Sequence, residues 1–564
     1  MRRRDFILAP AVCALTSCTP ALLRPRESTA QLAPFALTPI DGPFTMTAKL
    51  LDPVCGTVGY ACPSGINPTL VFERGQLLSA AVKNALPQPT TLHWHGLHVP
   101  ALMDGDGRSV FATKQSQSAQ FVVSNRSGLY WYHAHPHGYS AEQIQQGLAG
   151  MVIVRDAEDR AVEASLATTP GETDLALMLK DTLWINNQRV PYRPDADTAS
   201  GLLGNVVTVN DLAAPRFDVS RGWVRLRLLN ASNTRALLIE ANHESKPMSM
   251  QLLGTDGGLL GTPVLVERIF MHPGERIDFA FDCSKLRPGE MVAITSAEFD
   301  PRNQLDPKSV ASRARHPSVN HLPPLAANSL CAGNSESATR DGALMPLFSM
   351  RISDEPLRSG SLPSRLSAIE AAQDDGSTQR KIALAFDPDK GWTINNQRWG
   401  DDALTQHVTR GSTEIWELHN SPLSVPHPMH LHGFSFRVLS RRGLFGPARA
   451  LATHSNNRVA TDLGLKDTVT VWPNERVRIL IDFSHIFVGE QRYLFHCHNL
   501  QHEDQMMMLP VLVTQSTGGV CDCAIAKKVP LNTPPSPTAL APQPRPSMLY
   551  APPYRSRSHY AIAH

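Results

Sequence analysis

Beyond the first fifteen residues, no stretch of this chain is apolar enough to cross a bilayer, which argues against a body built on membrane-spanning helices. An excess of one charge is missing too. The 53 Lys and Arg against 51 Asp and Glu leave a net charge of +2, and no basic run stands out, so nothing points to nucleic acid as a partner. Methionine forms no rich run, although there are 16 of them. Cysteine is sparse, nine in 564 residues. Proline and glycine are plentiful, at 45 and 36, as an all-β protein with many turns requires. Hydrophobic and charged shares of 42% and 18% are those of a globular chain, long enough for about three to four domains.

The most informative run is His496-Cys497-His498, followed by His502 and Met507. On a β-strand successive side chains point to opposite faces, so Cys497 looks one way and His496 and His498 the other. Thiolate, imidazole and thioether are the ligands of a blue-copper electron-transfer site. The flanking histidines are free to bind metal behind it, so one strand joins two metal sites with the cysteine as the bridge. Three more pairs, His93/His95, His133/His135 and His430/His432, repeat a spacing that puts both rings on one strand face. His427 is left over to join Cys497 and His502. A single His-x-His pair is ordinary on a surface strand; four, one with an embedded cysteine, are not. His98 and His137 break the pattern and read as residues beside the pairs. His243, His272, His316, His321, His407, His419, His454 and His485 read as ordinary.

In type, order and spacing these clusters resemble those of the multicopper oxidases, the family of laccases, bilirubin oxidases and bacterial cuprous oxidases. The resemblance implies four copper ions. The type 1 copper falls to His427, Cys497 and His502, with Met507 axial. Family spacing selects Met507, and strand alternation turns Met506 and Met508 to the other face, into the core. The type 2 copper falls to His93 and His430. One type 3 copper takes His95, His133 and His498, and the other takes His135, His432 and His496. Asp104 and Glu503 stand where the family has acids and are expected to transfer protons. A small reducing substrate is expected to deliver single electrons at the edge of His427 or His502. Cys497 passes them on, and dioxygen is reduced to water at the three-copper cluster.

Phenols or aromatic amines, as for laccases, are the expected substrates. The alternative is cuprous ion, as for the oxidases of copper tolerance. The absence of a methionine-rich run tells against it, as does Leu423-Ser424-Val425-Pro426, which lacks the Asp and Met those enzymes place before the histidine. A third reading is a non-catalytic envelope protein of the same fold, against which the complete ligand set argues.

Internal repetition points to three similar units. Ile185-Asn186-Asn187-Gln188-Arg189 recurs as Ile394-Asn395-Asn396-Gln397-Arg398, and His272-Pro273-Gly274-Glu275-Arg276 is echoed by Trp472-Pro473-Asn474-Glu475-Arg476. The expected fold is all-β, three cupredoxin-like Greek-key β-sandwich domains at 35–160, 170–310 and 376–516. The middle one lacks a histidine pair and reads as a spacer without metal. Ligands from the first and last must then meet at their interface. Residues 311–375 read as a linker or insertion, and 517–564 as a Pro-rich tail.

Residues 1–17 read as a twin-arginine lipoprotein-type signal. Arg3-Arg4-Asp5-Phe6-Ile7 resembles the export motif and Leu15-Thr16-Ser17-Cys18 a lipobox, which makes Cys18 a lipid anchor in the periplasm. In that oxidising space Cys55 and Cys62 can close a short disulfide, and Cys283, Cys331, Cys521 and Cys523 others, with connectivity left open. A monomer is expected, since one polypeptide completes its own metal sites.

Overall fold

The computed structural model describes residues 37–515, apart from 108, 187, 193–200, 300, 302–337, 370–373, 375, 401–404 and 444–445. The signal, Cys18, Cys331, the tail and much of 311–375 lie outside these residues. Among the described residues, six sheets of five to seven strands and one two-stranded ribbon account for most of the structure. They pair into three sandwiches. In the first, Tyr130, Tyr132 and Val152 of one sheet meet Met46, Leu78 and Phe121 of the other in a single core. The second closes on Leu226, Leu228 and Phe279 against Ile239, Ile294 and Met350. The third closes on Trp416, Ile479 and Ile481 against Met429, Val469 and Phe495. This is the cupredoxin-like architecture.

Two kinds of strand build it. Leu77–Asn84 and Arg476–Asp482 alternate between buried and more exposed positions, as half-covered strands do. Gly128–Ala134 and His427–Leu431 are buried at every residue. These carry histidines, and their second face is covered by a neighbouring unit.

The sequence repeats are turns. Asn395 and Asn396 both have positive φ, 52° and 62°, between the bridged residues Ile394 and Gln397. That is the twist a two-residue hairpin turn needs. In the other repeat Gly274 and Asn474 take the left-handed conformation. Glu275 Oε2 accepts from the His272 N–H at 2.7 Å, and Glu475 Oε2 accepts from the Trp472 N–H at 2.8 Å.

Several expectations need correction. Met345–Ile352, placed in the linker, is a strand of the middle unit, parallel to Arg216–Val219 and antiparallel to Met291–Ser296. Its inward residues Leu347, Met350 and Ile352 are fully or almost fully buried, so packing claims a segment whose flanks look like linker. Met506 is not a core strand residue; it sits at φ 72°, and the strand Met508–Thr514 starts two residues later. Cys55, Cys62 and Cys283 are free thiols, with Cys62 Sγ 3.0 Å from the Ser64 hydroxyl. No described helix is long and apolar enough to cross a membrane.

Gly105 is a position where the fold tolerates no side chain. Its φ is +74°, and a Cβ there would lie 1.7 Å from the carbonyl oxygen of Leu92, on the strand that carries His93. We expect Gly105→Ala to lower stability by about 1–3 kcal/mol or more, read by thermal denaturation; an unchanged midpoint would refute this packing.

Candidate metal centre

Each of the four histidine pairs straddles the end of a strand. Leu92–His93, Gly128–Ala134, His427–Leu431 and Gln491–Cys497 all stop between the two histidines of a pair. The rings of each pair lie 5.0–5.8 Å apart and enter the same chamber, the first from the strand and the second from the residue just past its end. All eight rings are buried to within 1% and converge on one chamber between the first and last units. His93 stacks on His432 at 3.8 Å and His95 on His430 at 3.7 Å.

The tautomers are fixed from behind. His93 Nδ1 donates to the Asp104 carbonyl at 2.9 Å, His430 Nδ1 to the Asp467 carbonyl at 2.9 Å and His133 Nδ1 to the Ala134 carbonyl at 3.0 Å. His432 Nδ1 donates to Asp104 Oδ2 at 2.7 Å, and His496 Nδ1 to the Cys497 carbonyl at 3.1 Å. His95 is turned the other way, with Nε2 on Asp467 Oδ1 at 3.2 Å. A neutral imidazole has one N–H, so in these six rings the nitrogen left facing the chamber is a bare acceptor.

These acceptors point at one another. His432 Nε2 and His496 Nε2 are 3.0 Å apart, and His95 Nδ1 and His133 Nε2 are 3.3 Å apart. His93 Nε2, His430 Nε2 and both nitrogens of His498 have no partner in the protein. Burial, reinforced by neighbouring histidines, holds His133, His135, His432, His496 and His498 well below the ordinary imidazole range, so they stay neutral. Facing lone pairs without protons are a cation site. Imidazole nitrogen suits copper, and the residues fit that ion. Three-residue groups able to grip a metal include His93/His95/His133, His93/His430/His432 and His135/His432/His496.

On the other side of Cys497, its sulfur lies 3.4 Å from His427 Nδ1 and 3.6 Å from His502 Nδ1, all three fully buried. The Ser424 hydroxyl is 2.9 Å from His427 Nε2. Burial pushes the Cys497 thiol up, so its thiolate forms only with a cation beside it. Met507 is tied by its backbone to both partners, accepting from the Cys497 N–H at 3.2 Å and donating to the His502 carbonyl at 3.0 Å, and its side chain lies in the same core as Cys497. The expected electron-entry edges are not at the surface. His427 and His502 are each 0% exposed, and the Trp392 ring covers both, at 4.9 and 4.6 Å.

Both expected acids border the histidine chamber. Asp104 holds His93 and His432 as above, while Glu503 lies 3.4 Å from His496 Nδ1 and 3.6 Å from His135 Nε2. Burial, with the charge of Asp504, holds Glu503 well above the usual carboxyl range. Asp504 itself accepts from the N–H groups of Ser140 and Ala141 at 3.0 Å and is pushed up to about 7 by burial.

Sequence reading missed Asp467 and its partner Arg276. Asp467 backs His95 and His430, and Arg276 of the middle unit grips it with two N–H groups, one at 2.7 Å. Burial works to raise the Asp467 carboxyl, but the Arg276 guanidinium outweighs it and holds the group well below the ordinary range. Arg276 also donates to the Leu129 carbonyl of the first unit at 3.1 Å and, through its backbone N–H, to Asp256 at 2.8 Å. Lys466 completes the network with Asp256 at 3.0 Å and Glu275 at 3.1 Å. The visible signal was Lys466-Asp467 set between apolar stretches. Gly96, just after His95, makes room for the pair: a Cβ there would lie 2.6 Å from both Arg276 and Asp467.

Comparison with known proteins agrees with this geometry. Multicopper oxidase family models match residues 61–159 and 372–517. The crystal structure of the multicopper oxidase McoA from the hyperthermophile Aquifex aeolicus superposes with a TM-score of 0.72 at 29% identity, over 86% of this chain and 99% of that one. Its 2F4 variant, with the same TM-score and shares, is 30% identical. The chain belongs to the multicopper oxidase family. It is a copper-dependent oxidoreductase with dioxygen as acceptor. Other relatives of this multicopper oxidase are multicopper oxidase mco of Staphylococcus haemolyticus, 26% identical over 81% of this chain and 84% of that one, and cell division protein FtsP of Sodalis glossinidius, 28% identical over 90% and 97%.

We expect Arg276→Leu to leave Asp467 as an uncompensated buried charge. That costs about 3–5 kcal/mol in urea unfolding of the copper-free protein, and Arg276→Lys should recover part of it. Equal stability of all three proteins would dismiss the network as a brace.

Proposed function

We propose that this oxidase takes single electrons from phenols or aromatic amines at a type 1 copper and reduces dioxygen to water at a cluster of three, four ions in all. The observation that carries the reading is the placement of Cys497. Its sulfur meets His427 and His502, with Met507 in the same core, while its chain neighbours His496 and His498 turn into the chamber of facing lone pairs. His93 and His430 would hold the type 2 ion. His95, His133 and His498 would hold one type 3 ion, and His135, His432 and His496 the other. Copper there supplies one-electron chemistry at the sulfur and multi-electron reduction of dioxygen at the histidines.

The protein's own part is positional. The Cys497 side chain and backbone join the two sites covalently through its neighbours, and the all-buried surroundings exclude water from both. Asp104 orients His93 and His432 and is placed to pass protons toward the chamber. Glu503, which lies against His135 and His496, keeps a proton there to give. The reducing substrate hands over its electron without touching either site imidazole, since His427, His502 and the Trp392 ring over them are all buried. An organic reductant is favoured over cuprous ion because the residue on His427 is the Ser424 hydroxyl and the stretch before it offers no carboxylate or thioether. The first seven residues and the stretch ending in Cys18 support export by the twin-arginine route and a lipid anchor. A second reading is a non-catalytic envelope protein of the same fold, since the relatives include a protein named for cell division.

Copper reconstitution separates the readings. We expect four ions per chain, an intense blue colour, and phenol oxidation that needs no added copper. Turnover only with excess copper would favour the cuprous oxidase, and a colourless, copper-free protein the envelope protein. Cys497→Ser should lose the blue colour and one ion, with oxidation abolished; retained oxidation would overturn the assignment. Asp104→Asn and Glu503→Gln should keep the colour while oxygen reduction falls by roughly a hundredfold. Unchanged oxygen reduction across pH would remove that acid from the mechanism.

A further inference from the structure

Electrons have to reach a copper held by two imidazoles that solvent does not touch, and one side chain stands over both. Trp392 is 1% exposed. Its ring centre lies 4.9 Å from that of His427 and 4.6 Å from that of His502, which are themselves 5.1 Å apart. The three rings form a closed triangle. A fourth ring, Phe386, meets Trp392 edge to face at 5.0 Å. Among the described residues, Phe386 and Val425 are the half-buried apolar side chains packed against the core that holds Cys497 and Met507.

The local fold fixes this stack. Phe386 and Trp392 are register partners in the antiparallel hairpin of Thr378–Asp387 and Gly391–Ile394, so their side chains leave the same face as a cross-strand pair. The Asp387 carboxylate accepts from the N–H groups of Asp389 at 2.9 Å and Lys390 at 3.0 Å, which shapes the connecting turn. Gly391 closes that turn at φ +80°. Beyond the hairpin, the Trp399 N–H donates to the Met506 carbonyl at 3.0 Å and pins the segment beside Met507.

We propose that Trp392 is the bridge by which electrons enter, and that the aromatic reductant rests on Phe386 at its outer end. This stands on the type 1 assignment of His427, Cys497 and His502 given above. Electron tunnelling weakens steeply with distance, and more steeply through saturated groups and gaps than through packed conjugated rings. Phe386 and Trp392 carry ring contact from a half-buried position to both imidazoles. The Ser424 side chain, 2.9 Å from His427, is saturated and gives no such path. The phenol gives up one electron and releases its hydroxyl proton to water. The indole passes the electron on and is itself left unchanged, and the copper goes from cupric to cuprous.

The test is anaerobic stopped-flow reduction of the copper-loaded protein by guaiacol, a methoxyphenol, read as bleaching of the blue colour. Trp392→Leu should lose most of the bleaching rate, and Trp392→Phe, which restores a ring, should recover much of it. The type 1 potential, by redox titration, and reoxidation of the fully reduced protein by dioxygen should match in all three. If Trp392→Leu does not fold, Trp392→Met takes its place. Phe386→Ser, at a half-buried position, should raise the guaiacol concentration that half-saturates bleaching and leave the colour intact. Bleaching of the folded leucine or methionine variant at the wild-type rate, or faster, would reveal a screen in place of a bridge and overturn the proposal. So would a rate loss accounted for by a lower type 1 potential, or an unchanged half-saturation in Phe386→Ser. A colourless wild-type protein would instead overturn the type 1 assignment, and the bridge with it.

Discussion

A histidine ring can offer a lone pair inward only if its proton is claimed from the other side, and the chamber is organised around that condition. Carbonyls of Asp104, Ala134, Asp467 and Cys497, together with the carboxylates of Asp104 and Asp467, each take one N–H. What remains is a set of acceptors pressed to within 3.0–3.3 Å of one another, which the protein cannot satisfy from its own atoms. The depth of burial sharpens this. Charged imidazolium is too costly there, so the rings cannot relieve their mutual repulsion by taking up protons. A cation is the remaining solution, and the second layer of carbonyls and carboxylates decides which nitrogen meets it.

That second layer is where the middle unit enters. It lends no histidine to the chamber, and on ligand count alone it is a spacer. Yet Arg276 leaves its sheet to hold Asp467 of the last unit and the Leu129 carbonyl of the first. One guanidinium therefore fixes the relation of three units at the point where ligands from two of them must converge. The cost of burying it is offset by bidentate geometry on Asp467 and by the Asp256 charge beside it. The same turn that delivers Arg276 begins with His272, whose ring meets Trp472 of the matching turn in the last unit at 4.9 Å.

Much of this was legible in the sequence. Periodicity and turn repeats gave three β-rich units, and the Asn-Asn repeat turned out to be a hairpin turn because both residues accept positive φ. The candidate ligands stood out because four His-x-His pairs and one embedded cysteine are improbable by composition. Less was legible where tertiary contact overrides local pattern. Met345–Ile352 became a strand because it pairs on both sides within the middle sandwich, with Arg216–Val219 and with Met291–Ser296, although its surroundings look like linker. The roles of Asp467 and Arg276 were not legible, although Arg276 stands in a repeated turn, because their meaning lies in a contact 191 residues apart in the chain.

The sequence by itself determined the chemistry available: which side chains have lone pairs or sulfur to give, and that Cys497 lies between two of them. Tertiary structure decided how they are used. Spacing along the chain pairs the rings on each strand, but which pairs meet, His93 with His432 and His95 with His430, follows from how distant strands pack together. The choice of tautomer follows from carbonyls and carboxylates contributed by distant strands. Both depend on long-range packing, which fixes atoms to a fraction of an ångström and which residue spacing along a chain does not encode.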